Sequence, residues 1–129
     1  MDVMKRLNPK FAQLVTVPMA VIINGLQLLL CIIAIVVGEN GIVFSMSVAG
    51  LLFTNGLMHI MGCVKAKGYA PGVITGVLLY IPVSVYAYLL SIHLGLLTLN
   101  ELIVTGVLGL LYQAVPIGYL VSARAMKRA

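Results

Sequence analysis

Residues 14–37 read LVTVPMAVIINGLQLLLCIIAIVV; after Gly38, Glu39 and Asn40, residues 42–64 read IVFSMSVAGLLFTNGLMHIMGCV. Neither run contains a charged residue. At about 1.5 Å per residue, each is long enough as a helix to cross a hydrocarbon core of roughly 30 Å. The runs are continuously apolar and lack the period-two alternation of barrel strands, so they read as helices. Two more follow, at residues 73–94 and 102–121. The connectors are KAKGYAPG at residues 65–72 and a polar patch at residues 98–101. Such short connections make neighbouring helices antiparallel.

The composition agrees with that pattern. The 129 residues are 62% hydrophobic and 9% charged, with a mean hydropathy of +1.16. A soluble domain is about half apolar and a quarter charged. This chain has too few polar residues to cover a water-facing surface, so its solvent is lipid, where backbone groups must be satisfied internally. The expected fold is all-α: one domain over residues 1–129, a transmembrane bundle of four helices with antiparallel neighbours.

Charge placement predicts the orientation. Lys5, Arg6 and Lys10 precede the first span, Lys65 and Lys67 lie between the second and third, and Arg124, Lys127 and Arg128 follow the fourth. With four spans, all eight basic residues share one side, opposite Glu39 and Glu101. The positive-inside rule assigns the basic side, with both termini, to the cytoplasm. The expected location is a bacterial cytoplasmic (inner) membrane. The net charge of +5 then reads as a topology signal and a set of contacts to anionic lipid headgroups. Nucleic-acid binding is not expected. The basic start, with Asn8-Pro9 as a turn signal, shows no convincing signal-peptide cleavage site. Cys31 and Cys63 differ in depth by more than a disulfide can bridge and read as free thiols.

Packing signals lie in the third span. Gly72 and Gly76 form a G-x-x-x-G that would let two backbones approach closely. Pro82 deprives the Leu78 carbonyl of its helical donor and predicts a kink. Pro71 suits a first helical turn, so a helix start within about two residues of it is expected.

Polar side chains inside lipid are costly and turn toward the bundle. Counted from the cytoplasmic helix ends, Asn24, Asn55, His59 and Gln113 converge on the inner leaflet, with Tyr69, Thr75 and Tyr80 at the margin. Interhelical hydrogen bonding alone accounts for Asn24, Gln27 and Gln113. His59 stands apart, because imidazole titrates near neutral pH and ligates metals. No span contains a carboxylate, however, and His93 belongs near the opposite face of the bilayer. A zinc site usually takes three protein ligands or more, so a divalent metal at His59 would need ligands from elsewhere. No Walker, Rossmann, CxxC or triad pattern occurs.

The segment TNGLMHIMGCVKAKGYAPGVITGVLLYIP, residues 54–82, resembles the HXXEE-domain family of small bacterial membrane proteins. The resemblance rests on Asn55 and His59 in N-x-x-x-H spacing, on Tyr69, Pro71 and Gly72 opening the next helix, and on Thr75 and Pro82. KRLNPKFA and the first span also look like that family's region after its first helix. The name-giving H-x-x-E-E motif is missing: the only glutamates are Glu39 and Glu101. The chain therefore reads as a member lacking the helix that carries the motif. The resemblance implies half of an inner-leaflet metal or acid–base site around Asn55 and His59, with no reaction attached.

Two other readings belong to different classes. One is a membrane interaction or scaffold subunit without chemistry, assembled as a homo-oligomer or with a partner helix. The other is a small dimeric transporter, disfavoured because no span has the buried glutamate such proteins use for proton coupling. The topology is directly testable. Reporter fusions after Ala129 and between Lys65 and Lys67 are expected to report the cytoplasm, and one at residues 38–40 the exterior. A cytoplasmic signal at residues 38–40 would overturn the charge argument.

Overall fold

The computed structural model describes residues 17–70 and 72–128. The N-terminal lead-in with Lys5, Arg6 and Lys10, the Asn8-Pro9 turn, the start of the first span at residues 14–16, and Pro71 lie outside the described residues. Those described are helical apart from short connections, with no strand among them. Helix α1 is Val17–Val37, α2 is Ile42–Ala66, α3 is Val73–His93 and α4 is Leu99–Arg128.

Among the described residues, three helical runs are long and apolar enough to cross a membrane: Val17–Ala66, Val73–His93 and Leu99–Met126. The sequence predicts four separate segments. The count differs because Gly38–Gly41 is a 3₁₀ turn that joins α1 to α2 without an irregular gap. The joined run is 50 residues and would be about 75 Å long if straight. It is not straight, since the Asn55 Nδ2 of α2 lies 3.1 Å from the Gln27 Oε1 of α1. The chain doubles back at the turn. Gly38 has φ +52°, a conformation glycine adopts without a Cβ penalty, and Gly41 leaves helical geometry at φ −134°, ψ 56°. The Ser45 hydroxyl lies 3.0 Å from both the Ala34 and Gly38 carbonyl oxygens and ties the turn to both helices.

Helix α2 occupies the centre, and α1, α3 and α4 each pack mainly on it. It contributes most of the buried residues, from Met46 to Leu51 and then Asn55 and Gly56. Two glycine contacts set its distance from its neighbours. A Cβ at Gly109 of α4 would fall 2.5 Å from the Gly50 carbonyl carbon and 2.6 Å from the Leu51 nitrogen. A Cβ at Gly76 of α3 would fall 3.1 Å from the Gly56 Cα. Gly76, from the G-x-x-x-G, thus faces Gly56, and Gly72 faces the His59 ring. Pairing of Gly50 with Gly109 and of Asn55 with Gln113 makes α2 and α4 parallel. Pairing of Gly56 with Gly76 and of Met46 with Tyr88 makes α2 and α3 antiparallel.

The other boundaries follow from local chemistry. Helix α2 ends where Lys67 takes left-handed geometry and the Lys67 and Gly68 amides bond back to the Val64 and Cys63 carbonyls. Helix α3 starts at Val73, after Gly72 at φ +84°. Ahead of Pro82 it widens into a π turn, Gly76–Tyr80, in which the Ile81 amide reaches back to the Gly76 carbonyl. The proline's missing N–H is accommodated by this wide turn. Helix α4 opens with a capping box. The Glu101 carboxylate accepts from the Thr98 amide (2.8 Å) and hydroxyl (2.9 Å), and the Glu101 amide donates to Thr98 Oγ1 (3.3 Å). The helix continues to Arg128, beyond the apolar stretch ending at residue 121, because nothing in its basic tail breaks a helix.

The glycine contacts give a paired expectation. Gly109→Ala drives a methyl into the α2 backbone and should lower unfolding stability by about 1–3 kcal/mol. At Gly106 a Cβ meets nothing within 4 Å, so Gly106→Ala should be neutral or stabilising by up to about 1 kcal/mol, from helix propensity. Thermal melts of the purified variants in mild detergent check both; equal destabilisation would contradict this packing.

Candidate polar site between the helices

The polar residues of the bundle form two layers. In the layer nearer the α3–α4 connection, the Tyr88 hydroxyl donates to the Met46 carbonyl at 3.0 Å and lies 3.1 Å from Thr105 Oγ1. Thr105 in turn donates to the Leu102 carbonyl. The Ser91 hydroxyl meets the Met46 sulfur at 3.3 Å, and Ser47 bonds the Phe44 carbonyl. Ser47, Thr105 and Ser84 have no exposed surface. Each of these hydroxyls has a partner, a carbonyl or for Ser91 a sulfur, and the bonds made by Tyr88 and Ser91 hold α3 on α2 and α4.

Beside that layer, an apolar cavity of about 620 Å³ opens between α3 and α4. It is floored by Gly50, Phe53 and Thr54 and walled by residues such as Val85, Leu89 and Val107. The Thr54 hydroxyl is bound to the Gly50 and Leu51 carbonyls, so the cavity floor presents a closed hydroxyl and hydrocarbon.

The second layer is a chain of amides. Gln113 Nε2 of α4 donates to Asn55 Oδ1 at 3.3 Å, and Asn55 Nδ2 donates to Gln27 Oε1 of α1 at 3.1 Å. Asn55 is buried and joins three helices through one side chain. The chain ends on Gln27 Nε2, which is buried and has no hydrogen-bond partner among the described residues. An unpaired buried donor is costly and marks a place where an acceptor belongs.

His59 lies one turn further along α2, on the same face as Asn55 by its four-residue spacing. Its ring is pressed against Gly72: a Cβ there would lie 2.6 Å from Cε1, 2.8 Å from Nε2 and 3.0 Å from Nδ1. The nearby Cys63 thiol accepts the Ala70 amide at 3.0 Å. Both cysteines are free.

Of the residues singled out by depth, Asn55 and Gln113 are bonded to each other, with His59 on the same α2 face. Asn24 is elsewhere: it is exposed, and its amide donates to the Ala20 carbonyl of its own helix at 2.7 Å. The α1 residue in the layer is Gln27. Thr75 is exposed in the first turn of α3, and Tyr69 is exposed in the α2–α3 connection. Gln27 could have been found from spacing. It lies seven residues from Ala34, the buried residue of α1, and therefore on nearly the same face; Asn24, ten residues away, is turned well off it. Among the described residues no three His, Cys, Asp or Glu side chains gather as a metal site would require.

A family model for proteins of unknown function with an HXXEE motif matches residues 2–87, two thirds of the chain. The chain belongs to this family. The match covers α1, α2, the connection carrying Tyr69 and Gly72, and the greater part of α3, and so includes Gln27, Asn55 and His59 but not Gln113. The H-x-x-E-E motif itself does not occur in the matched stretch or elsewhere in the sequence. No curated protein and no solved structure gives a match.

The amide chain should be measurable as coupling between helices. In a double-mutant cycle, Asn55→Ala and Gln113→Ala should show an interaction of about 0.5–1.5 kcal/mol, the range of interhelical hydrogen bonds in membranes. Asn24→Ala and Asn55→Ala should be additive within about 0.3 kcal/mol. Unfolding free energies measured in bicelles decide it; coupling of Asn24 with Asn55 as strong as that of Gln113 would contradict the layer as described.

Proposed function

We propose that the chain is a four-span protein of the bacterial cytoplasmic membrane, with both termini and the α2–α3 connection in the cytoplasm, and that α2 carries half of an inner-leaflet metal or acid–base site. The four-span reading rests on the hairpin within Val17–Ala66, which makes two antiparallel helices of bilayer length from one helical run. The orientation rests on the positive-inside rule, with Lys65, Lys67, Arg124 and Arg128 placed against anionic headgroups.

The functional reading rests on one observation above all: the amide chain through Asn55 ends on a buried donor without an acceptor, Gln27 Nε2, beside the helix face that carries His59. A carboxylate would satisfy the unpaired N–H, and an imidazole works chemically beside one. Such a group would accept from the amide, orient the imidazole, and share a metal ion or a proton with it. No aspartate or glutamate occupies a span of this chain, so the completing acid comes from another helix. The scaffold reading has its own support: Asn55 already serves to bind three helices together.

Metal content separates the two. The purified chain is expected to retain no more zinc, by elemental analysis, than its His59→Ala variant. Fusing an upstream helix that bears an H-x-x-E-E motif should bring stoichiometric metal that His59→Ala abolishes. Metal absent even then would remove the metal reading, and wild-type stability of an Asn55→Leu, His59→Leu double variant would count against the scaffold.

A further inference from the structure

Helices α3 and α4 follow one another in the chain across the short connection at residues 94–98, yet each packs mainly on α2 rather than on its neighbour. The glycine contacts account for this. Gly76 seats α3 on Gly56, and Gly109 seats α4 on Gly50, so each backbone is drawn to α2 and the space between the two stays open. That space is the apolar cavity of about 620 Å³ floored by Gly50, Phe53 and Thr54. The hydroxyls along it are engaged. Tyr88, which lines it, donates to the Met46 carbonyl and lies beside Thr105 Oγ1, and the Thr54 hydroxyl is bound to carbonyls of its own helix. A ligand there meets hydrocarbon.

Two features of shape narrow what fits. The lining runs from Gly50 to Leu57 on α2 and from Leu102 to Leu110 on α4, about 10 Å and about 12 Å of helix, against a hydrocarbon core of about 30 Å. It begins three residues into α4, so it lies in the leaflet that meets the α3–α4 connection. A transmembrane partner helix would need a face that continues across both leaflets. The edges also keep a helix out. Val85, Leu89, Ile103 and Val107 stand exposed, with Gly50 at the bottom, whereas close helix contacts need small residues outermost. A thin, flexible hydrocarbon chain passes between such edges.

We propose that this cavity is a binding site for an acyl chain of a membrane phospholipid, taken from the leaflet on the α3–α4 side. The chain enters sideways between α3 and α4 and completes packing that the two helices leave undone. The site rests on the membrane location proposed above and is independent of His59. Gly106 sets its width: it lines the cavity, and a Cβ there meets nothing within 4 Å, so a side chain at this position grows into the ligand's space without striking the protein.

The test places the full chain, one copy per nanodisc, in palmitoyl-oleoyl phosphatidylcholine doped with a phosphatidylcholine that carries a diazirine in one acyl chain. After illumination, mass spectrometry maps the labelled residues. Ile35 and Val36, exposed at the end of α1 in the same leaflet, report ordinary lipid contact. Labelling at Leu89, Ile103 and Val107 should exceed theirs, and Gly106→Leu should lower it to their level. Val85→Phe, which narrows the cavity from α3, should act in the same direction. Gly118→Leu, at an open position of α4 outside the cavity, should leave the excess intact. Cavity labelling no higher than at Ile35 and Val36 would overturn the site, as would an excess that survives both narrowing variants. An excess that disappears when two copies share a nanodisc gives the cavity to a second copy and also overturns it. A chain that stays out of the nanodisc removes the membrane reading and the site with it; a chain in the nanodisc without the excess removes the lipid site alone.

Discussion

The close approach of α2 to α3 and α4 governs the rest of this structure. Gly50 and Gly56 bring the backbone of α2 within van der Waals contact of Gly109 and Gly76, and only at that separation can the short polar side chains reach one another. Tyr88 spans to the Met46 carbonyl, and Gln113 to Asn55, because the axes are already close. In lipid there is little hydrophobic gain from pressing one apolar helix on another. Association therefore depends on packing and on hydrogen bonds shielded from any aqueous competitor. The glycines supply the first and make the second possible. α1 lacks such a contact with α2 and is held instead by its turn, by Ser45 and by the Asn55–Gln27 bond.

Depth was legible in the sequence; rotation was not. Uncharged runs of bilayer length mark the helices, and distance from the helix ends puts Asn24, Asn55 and Gln113 at one level, whereas the α1 residue that meets Asn55 is Gln27. Counting back from the Gly38–Gly41 turn, Asn24 stands level with Asn55, yet its side chain points away. Rotation is usually read from an apolar stripe set against a polar face. A helix apolar all round, such as VPMAVIINGLQLLLCIIAIVV, offers no stripe, and only small buried residues such as Ala34 register its inner side. The joining of the first two runs was hidden for a different reason: Gly38, Glu39 and Asn40 have the composition of a loop but the hydrogen bonding of a 3₁₀ turn. Thr98 and Glu101 carry a helix-start signature that the apolar pattern overshadowed.

The site divides along the same line. Residue type and depth identified Asn55 and His59. The features that give them meaning are relations between elements: an amide chain with a loose end, and a glycine closed on an imidazole. The two layers also differ in kind. Around Tyr88 and Thr105 every hydroxyl is answered by a neighbouring carbonyl or, for Ser91, by a sulfur. Around Asn55 the hydrogen bonds run in one direction and stop at Gln27 Nε2.

The π turn at Gly76–Tyr80 works as a phase corrector. The buried residues of α3 are Gly76, Ser84 and Ser91, at intervals of eight and seven. Seven residues return an α-helix to nearly the same face, whereas eight overshoot by about 80°. The wide turn absorbs the one surplus residue, so the glycine that meets Gly56 and the serines that follow Pro82 share a single inward face. A shorter sequence with one residue deleted from that turn could run as unbroken α-helix and keep the same alignment. The surplus residue thus sets the register between the two halves of α3.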